Sequence, residues 1–285
     1  MDAGADQLET RELAYWVALA EELHFGRAAR RLGIAQPPLS RAIARLERRI
    51  GVPLLDRGGR TLALTPAGRV LLEDGRRALA AVRAAATRAR RAGTPDPRLV
   101  VVMKPGGDGG LLPDILAAYA ARPDALPVDV LVCGRVERSA ALRDGRADLG
   151  LLHSPHTDLT GFDTADLVDE GQVVVLPAGH RLAGRDRVCL ADLRDEPVAR
   201  WRGVPLAAGA PGPEVADAGQ LMQLVALGRT VAVVPESVRG HLRRDLVTVP
   251  VPDAPPTTVV LAWPEGSRSP AIAGFVRTAT EVATR

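Results

Sequence analysis

The chain has one lysine among its 37 basic residues, and aromatic residues make up only 3% of it. Its cores must therefore be built from Leu, Val and Ala. Two cysteines, Cys133 and Cys189, exclude a disulfide framework and fit free thiols in a reducing compartment, with a redox pair as the alternative. No apolar run has the length of a membrane span, and the opening MDAGADQLETREL lacks a signal-peptide core. We expect a cytoplasmic protein without a membrane partner.

Positive charge is concentrated in the first third of the chain. Residues 1–92 contain 17 arginines against 10 acidic residues, whereas the whole chain has a net charge of +3, so the remainder is acidic. Arginine bias in the coding sequence would explain the choice of arginine over lysine, but not this concentration. A basic segment on an acidic body predicts a polyanion-binding module joined to a module with another task. A length of 285 residues suits two or three domains.

Three amphipathic segments in the basic third predict a helix-turn-helix. Residues 7–23 and 25–32 carry apolar side chains at helical spacing. A third helix follows, with Pro37 and Pro38 in its first turn, the only helical position that tolerates proline, and it ends at Gly51. In a helix-turn-helix the second helix of the pair lies in the DNA major groove, and its N-terminal residues meet the base edges.

The tip of the third helix supplies residues suited to reading double-stranded DNA. Glutamine can form two hydrogen bonds with adenine, and arginine can do the same with guanine. Arginines farther along this helix, including Arg48 and Arg49, are expected to be solvated or to face phosphate. The Gly58-Gly59 pair that follows indicates a hairpin, a small β wing that would lie on the phosphate backbone. The predicted DNA-contacting residues are Gln36, Pro37, Pro38, Ser40, Arg41, Arg45, Arg57 and Arg60.

A long helix is predicted over residues 66–92, with Thr65 as its N-cap and Pro66 as its first residue. Its apolar positions would not be needed by a lone exposed helix, so we expect it to pair with the same helix of another subunit. They are Val70, Leu71, Leu79 and Val82. This predicts a homodimer, or a homotetramer built from two dimers.

Strand-like and helical segments alternate from residue 99 onward. The strand at Leu99–Met103 is followed by a helical stretch, a strand at Val128–Cys133, another helical stretch and a strand at Asp148–Leu152. This order predicts a parallel sheet with helices on its faces. The segments from residue 173 to residue 282 repeat the pattern, so the body is expected to be an α/β domain.

The stretch VVMKPGGDGGLLPDIL, residues 101–116, suggests a phosphate cradle at first sight. A P-loop requires lysine and then Ser or Thr after its glycines, but Lys104 precedes them, and Leu112 occupies the third glycine position of a dinucleotide motif. The loop nevertheless joins a strand to a helix N-terminus, where α/β sheets bind ligands and where anions are favoured. The chain lacks paired acid and base motifs, metal-ligand spacing and a nucleophile motif. We therefore expect no enzyme and no cofactor.

The first ninety residues resemble the DNA-binding head of LysR-type transcriptional regulators. The strings IAQPPLSRAI and LERRIGVPLLDR are especially typical of that family. The resemblance implies a winged helix-turn-helix over 1–65, a linker and dimerisation helix over 66–92, and a sensing domain over 93–285. The serines that the family often has before its second and third helices are replaced here by the segment HFG (24–26) and by Ala35. We expect both helices to be less well capped for that reason.

Residues 98–285 resemble the effector domain of the same family through LRDGRADLGLL, VVVLPAGHRLAG, VCLADLRDEPV and LVALGRTVAVVPES. The resemblance implies a periplasmic-binding-protein-like fold of two subdomains, 98–163 with 258–285 and 164–257, with a small-molecule effector in the cleft between them. Lys104 would replace the family's usual hydroxyl residue and bind a carboxylate. The implied effector-binding residues are Lys104, Pro105, Gly106, Gly134, Arg135, His153, Arg200, Trp201 and Pro235.

Two functions from different classes remain compatible with these patterns. The first is a DNA-binding regulator that senses a small molecule, in particular a small organic anion. The second is a small-molecule binding protein whose N-terminal head serves oligomerisation and not DNA reading. The basic head and the tip sequence QPPLSR favour the first, and salt-sensitive retention on DNA would exclude the second.

Overall fold

The computed structural model describes residues 8–56, 58, 62–201 and 210–285. The chain divides into two compact units. One ends at Ala89 and also includes Arg143–Gly145, and the other consists of Arg90–Leu142 and Arg146–Arg285. Within the described ranges, no helix combines the length and the apolar character needed to cross a bilayer. The unit boundary at residues 89 and 90 lies three residues before the boundary expected between linker helix and effector domain.

Three helices form the core of the first unit: α1 (Thr10–Glu22), α2 (Phe25–Leu32) and α3 (Gln36–Ile50). Gly33 and Gly51 end α2 and α3, as predicted, and both adopt the left-handed conformation, with φ of 67° and 81°. The inward side chains of the three helices share one apolar cluster, which fixes α3 against the other two. Its fully buried members include Trp16, Leu19, Ala28, Leu39, Ile43 and Leu46.

The capping expectation is wrong for α2 and correct for α3. The His24 imidazole accepts hydrogen bonds at Nδ1 from the backbone N–H groups of Gly26, at 3.0 Å, and Arg27, at 3.2 Å. A histidine therefore does what a serine or threonine usually does at this position. Ala35 offers no such side-chain bond to α3. The helix that follows it relies instead on prolines in its first turn.

A two-stranded hairpin and a long helix complete the first unit. Strands β1 (Leu55–Asp56) and β2 (Ala63–Leu64) pair antiparallel, as the wing prediction required. The wing residues Arg57 and Arg60 lie outside the described residues. Helix α4 (Pro66–Ala92) begins as predicted, with the Thr65 hydroxyl accepting the Gly68 N–H at 3.0 Å.

The first subdomain of the second unit is a five-stranded sheet in the order β4-β3-β5-β12-β6. Strands β3, β4 and β5 are parallel to one another, as predicted, whereas β12 runs antiparallel to both of its neighbours. Helices α5 and α8 cover one face, and α6 covers the other. Their bounds are β3 (Leu99–Met103), α5 (Leu112–Ala120), β4 (Val128–Val132), α6 (Arg135–Arg143), β5 (Leu149–Ser154), β6 (Phe162–Glu170), β12 (Thr257–Pro264) and α8 (Pro270–Ala283).

The second subdomain does not repeat the parallel pattern of the first. Its three-stranded sheet, β10-β7-β11, is antiparallel throughout, whereas the small β8-β9 pair is parallel. Helix α7 packs against β7 and β9. Antiparallel neighbours in a sheet need no crossover helix between them. The bounds are β7 (Gln172–Pro177), β8 (Pro197–Trp201), β9 (Ala210–Val215), α7 (Ala218–Ala226), β10 (Ala232–Pro235) and β11 (Leu246–Pro250).

The chain crosses between subdomains later than expected. Residues 164–170 were assigned to the second subdomain, but β6 pairs with β12 up to Glu170 and so belongs to the first sheet. The crossing falls at Gly171, directly before β7. There, Gln172 Nε2 donates to Thr257 Oγ1 at 2.9 Å and ties the two crossing segments together. The strand β6 lacks the apolar run by which the other strands were found, because it is an edge strand with charged residues along its exposed side.

Candidate functional site

The first turn of α3 presents an exposed polar surface. Gln36, Pro37, Pro38 and Arg41 are exposed and Ser40 is half-buried, while Leu39 between them is fully buried. This alternation anchors the helix through its apolar face and leaves the predicted base-contacting side chains directed outward. Arg45 is exposed one turn farther along. The described members of the predicted DNA-contacting set therefore form one continuous surface.

Arg49 is not available to phosphate in the way that was expected. Its guanidinium forms two hydrogen bonds with the Glu12 carboxylate of α1, at 2.8 and 3.1 Å, and Glu12 is buried. A buried carboxylate needs such a partner because leaving it unpaired is costly. Arg49 thus holds the C-terminal half of α3 against α1.

Replacing Arg49 with glutamine is expected to destabilise the first unit by about 2–4 kcal/mol, since it leaves the Glu12 charge uncompensated. The base preference of the protein should stay unchanged, because the base-contacting end of α3 is not touched. Thermal unfolding measures the first effect, and selection of bound DNA at a temperature below the new transition measures the second. A changed base preference in the folded variant would show that Arg49 reads DNA after all.

The carboxyl ends of β3, β4 and β5 bring three predicted effector-binding segments to one edge of the sheet. Lys104 follows β3, Gly134 follows β4 and His153 lies near the end of β5. A Cβ built on Gly107 would lie 2.3 Å from Lys104 Cγ and 3.2 Å from His153 Cε1. The lysine stem therefore folds back over Gly107, next to the imidazole. Lys104 and His153 share one small region, as the resemblance implied.

The second subdomain faces the same loop. A short 3₁₀ turn, Glu236–His241, follows β10, and its Ser237 hydroxyl donates to the Gly106 carbonyl at 3.4 Å. The His241 ring packs directly on Gly106, where a Cβ would lie 2.6 Å from its Cδ2. Gly106 has a φ of 59°, which also favours glycine. Pro235, also on the predicted list, ends β10 immediately before this turn. The loop after β3 and the turn after β10 are thus in contact where the cleft between the subdomains was predicted.

A chain of buried polar groups runs beneath this cleft. Arg138 of α6 donates from Nη1 to the Leu151 carbonyl at 2.9 Å and lies 3.4 Å from His153 Nδ1. Since arginine can only donate, a hydrogen bond between these groups makes His153 Nδ1 the acceptor. His153 Nε2 is 3.9 Å from Glu170 Oε2, and Glu170 Oε1 accepts the Ser237 N–H at 3.1 Å. The chain links the first subdomain, through its crossing strand, to the second.

The contacts described for Arg200 and Trp201 lie away from the Lys104 loop. Arg200 is exposed and donates from Nε to the Gly212 carbonyl at 3.0 Å, within the β8-β9 pair. Trp201 is half-buried and packs on the apolar cluster of the second subdomain. Pro105 is exposed beside Lys104, and Arg135 begins α6, where its side chain lies outside the described residues. The structure therefore does not bring the whole predicted set together.

Sequence reasoning missed four residues of the cleft: Arg138, Glu170, Ser237 and His241. Glu170 and Arg138 gave no signal, because the β6 strand was not predicted and Arg138 is one of many arginines. Ser237 lies within the family-typical segment LVALGRTVAVVPES, so that segment could have indicated it. His241 became visible only through its packing on Gly106.

The two cysteines are free thiols in different subdomains. Cys133 follows β4 and Cys189 precedes the 3₁₀ turn Leu190–Leu193. Burial raises the pKa of the Cys133 thiol, with a further contribution from the Glu137 carboxylate, which disfavours the reactive thiolate.

Both units match family models of known proteins. Residues 10–69 match the bacterial regulatory helix-turn-helix protein, lysR family, and residues 92–284 match the LysR substrate binding domain. The Hca operon transcriptional activator HcaR of Escherichia coli (strain K12) is 32% identical over 286 residues, covering 94% of this chain and 96% of HcaR. The regulator AlsR of Bacillus subtilis (strain 168) is 37% identical over 194 residues, covering 67% of this chain and 63% of AlsR.

Solved structures agree with this assignment. Full-length BenM is 28% identical with a TM-score of 0.54, covering 97% of each chain. Full-length CbnR in complex with its target DNA is 26% identical with a TM-score of 0.59, covering 96% of this chain and all of CbnR. The chain belongs to the LysR family: it is a DNA-binding transcriptional regulator, and not an enzyme, with an N-terminal helix-turn-helix, a helical linker and a C-terminal effector-binding domain.

Proposed function

We propose that this regulator is controlled by a small organic anion bound between the Lys104 loop and the turn that contains Ser237 and His241. We further propose that it acts in the cytoplasm as a homodimer, which reads inverted half-sites with the first turn of α3. The observation that carries the proposal is the convergence of Lys104, Gly106 and His153 of one subdomain with Ser237 and His241 of the other. Polar groups that converge on a cleft from two sides mark a ligand site.

The chemistry of the cleft favours an anion. Lys104 supplies a positive charge, and the His241 ring, which packs on Gly106, can supply a hydrogen-bond donor. A carboxylate held by both sides would stabilise the arrangement in which the two subdomains meet. Only a ligand that binds one arrangement better than another can shift the balance between them.

The buried polar chain provides a physical link from this ligand to the crossing strand. A ligand that moves the His153 ring would change its 3.9 Å approach to Glu170, whose other oxygen holds the Ser237 N–H. Because these groups are buried, their interactions are weakly screened and sensitive to small shifts. We propose this chain as the route by which the cleft influences the crossing between subdomains at Gly171.

The first experiment is selection of bound DNA from a random pool at two salt concentrations, followed by calorimetry with small carboxylates and their neutral amides. A dimeric reader should enrich one interrupted palindrome, and its binding should weaken steeply as salt increases. The cleft proposal expects at least one carboxylate to bind while its amide does not. Binding by neutral ligands alone would refute the anion proposal and leave the DNA-binding function intact.

An exposed apolar stripe on α4 supports the proposed dimer. Leu71 and Leu79, two of the apolar residues noted in the sequence, pack on the core of the first unit, but Val82 is 50% exposed. Three exposed alanines lie beside Val82 at helical spacing; these are Ala78, Ala85 and Ala86. Small apolar side chains of this kind allow two helices to approach closely.

Changing Val82 to glutamate is expected to convert the dimer to a monomer, because two buried carboxylates would face each other across the helix pair. Sedimentation at micromolar concentration would then show roughly half the wild-type mass. Ala81→Glu is the matched control, since it adds the same charge about 100° away around the helix. A Val82→Glu protein that sediments with the wild-type mass would place the interface elsewhere.

A further inference from the structure

Glu170, the last residue of β6, is a buried carboxylate whose two oxygens have different surroundings. Its side chain is 7% exposed, and Oε1 accepts the Ser237 N–H at 3.1 Å. No described residue donates a hydrogen bond to Oε2, which is itself shielded from solvent. His153 Nε2 lies 3.9 Å from Oε2, beyond hydrogen-bond distance. Because a buried charged oxygen without a donor costs free energy, Oε2 favours a donor from outside these residues.

Glu170 lies at the same edge of the sheet as the proposed anion site. Strands β5 and β6 both run antiparallel to β12, which lies between them, so they are parallel to each other and Glu170 shares an edge with His153. Strand β3 is parallel to β5 and ends at this edge directly before Lys104. The imidazole spans the gap, because a Cβ on Gly107, beneath the Lys104 stem, would lie 3.2 Å from His153 Cε1.

The contact of Glu170 with Ser237 places this carboxylate where the two subdomains meet. Ser237 donates its N–H to Glu170 Oε1 and its hydroxyl to the Gly106 carbonyl of the Lys104 loop. A ligand between this loop and the turn that contains Ser237 therefore binds beside a cation on one side and an acceptor oxygen on the other. These two groups favour opposite features of a ligand, a negative charge and a hydrogen-bond donor.

We infer that the effector is a carboxylate that also carries a hydroxyl or amino group, and that Glu170 Oε2 accepts a hydrogen bond from that group. The inference rests on the proposed anion site at Lys104 and narrows the class of ligand that this site takes. An acid without a donor leaves Oε2 without a hydrogen bond and adds a second negative charge near it. Glu170 is thus a specificity-determining residue that rejects plain carboxylic acids.

The first test is calorimetry of the full-length protein with three sets of small acids. Each set combines a plain acid with its hydroxy and amino analogues: propanoate, lactate and alanine; butanedioate, malate and aspartate; phenylacetate, mandelate and phenylglycine. In a set whose size fits, the hydroxy or amino analogue should bind at least about tenfold more tightly than the plain acid. A plain acid that binds as tightly as both of its analogues would overturn the inference and leave the anion proposal intact.

The variant Glu170→Gln tests the carboxylate itself. Its amide oxygen can still accept the Ser237 N–H, while the group that replaces Oε2 becomes an NH2 that donates and cannot accept. The preference for the amino acid over the plain acid should fall at least about tenfold. The preference for the hydroxy acid should fall less, because a hydroxyl can also accept. An unchanged preference for both analogues would refute the role of Glu170.

Glu236→Gln is the matched control for this variant. It removes the same charge from the neighbouring turn, where the Glu236 side chain is 54% exposed and pairs with Arg239 at 3.1 Å. Both preferences should stay within about twofold of wild type, because an exposed charge is screened by solvent and salt. A loss of preference equal to that of Glu170→Gln would show a general charge effect and overturn the assignment of Oε2.

Thermal unfolding of the free protein gives a readout that needs no ligand. Glu170→Gln replaces a buried charged oxygen that has no donor among the described residues, so its midpoint should lie about 2–4 °C above that of wild type. Binding by neutral amides alone would refute the anion proposal and this inference together. If none of the nine acids binds, the midpoint decides: a raised value supports Oε2 as an acceptor for a ligand, and an unchanged or lower value overturns the inference.

Discussion

Replacing Arg41 with alanine is expected to weaken binding to the selected operator by about 1–3 kcal/mol and to relax base preference at one position of each half-site. Arg41 is exposed on the first turns of α3, beside Pro37 and Pro38, and Leu39 anchors that turn in the core. An arginine in this position can form two hydrogen bonds with guanine in the major groove. Replacing Arg41 with alanine removes these hydrogen bonds to the base, while the buried Leu39 keeps the helix in place.

Two measurements separate base reading from general attraction to DNA. Affinity for the selected operator gives the size of the loss, and a repeat of the random-pool selection gives the altered base preference. Arg48→Ala is the control, since Arg48 is an exposed arginine of the same helix about two turns farther along. Its loss should weaken binding evenly across sequences, or not at all. An unchanged footprint and motif for Arg41→Ala would reject its assignment as a base contact.

Replacing Lys104 with methionine is expected to weaken binding of the effector anion by about 1.5–3 kcal/mol, or roughly tenfold to a hundredfold. Methionine keeps an unbranched apolar stem that can lie over Gly107 beside His153, while the charge is lost. The change therefore tests the charge–anion interaction more than the packing of the loop. Calorimetry with the carboxylate found in the screen measures the loss directly.

A charge-matched control lies just before the same strand. Arg98 precedes β3, at the opposite end of the strand from Lys104, and pairs with Asp129 at 3.0 Å and Asp96 at 3.2 Å. Arg98→Ala removes one positive charge from the same subdomain and should leave anion affinity within about twofold, because exposed charges are screened over such distances. Equal anion affinity in wild type and Lys104→Met would end the proposal that Lys104 binds the effector.

The helix-turn-helix could be predicted from sequence because its signals are local. Gly33 and Gly51 end helices by a backbone conformation that glycine adopts without strain, and Pro37 and Pro38 mark a first turn by the N–H that proline lacks. Apolar residues at helical spacing indicated which faces would be buried. Even here the cap of α2 was not foreseen, because the role of His24 depends on the rotation of its ring toward two N–H groups.

The body was predicted less completely because its strands differ in surroundings. Strands that are buried on both faces appear in the sequence as apolar runs and were predicted. The edge strand β6 has no such run and was not predicted. The prediction that the strands of the second subdomain are parallel was also wrong. The order of apolar segments does not state which strands become neighbours, and pairing between β7, β10 and β11 is settled by contacts distant in sequence.

The sequence by itself determined the family, the helix-turn-helix, the basic head and the clustering of Lys104, Gly134 and His153 at one sheet edge. These follow from local conformational preferences, from composition and from the rule that parallel strands share an edge. Only the tertiary structure decided that Glu170, Ser237 and His241 lie beside Lys104 and His153, and that Arg49 pairs with the buried Glu12. Such roles depend on which buried groups find partners, because a polar group removed from water must form hydrogen bonds with residues that can come from anywhere along the chain.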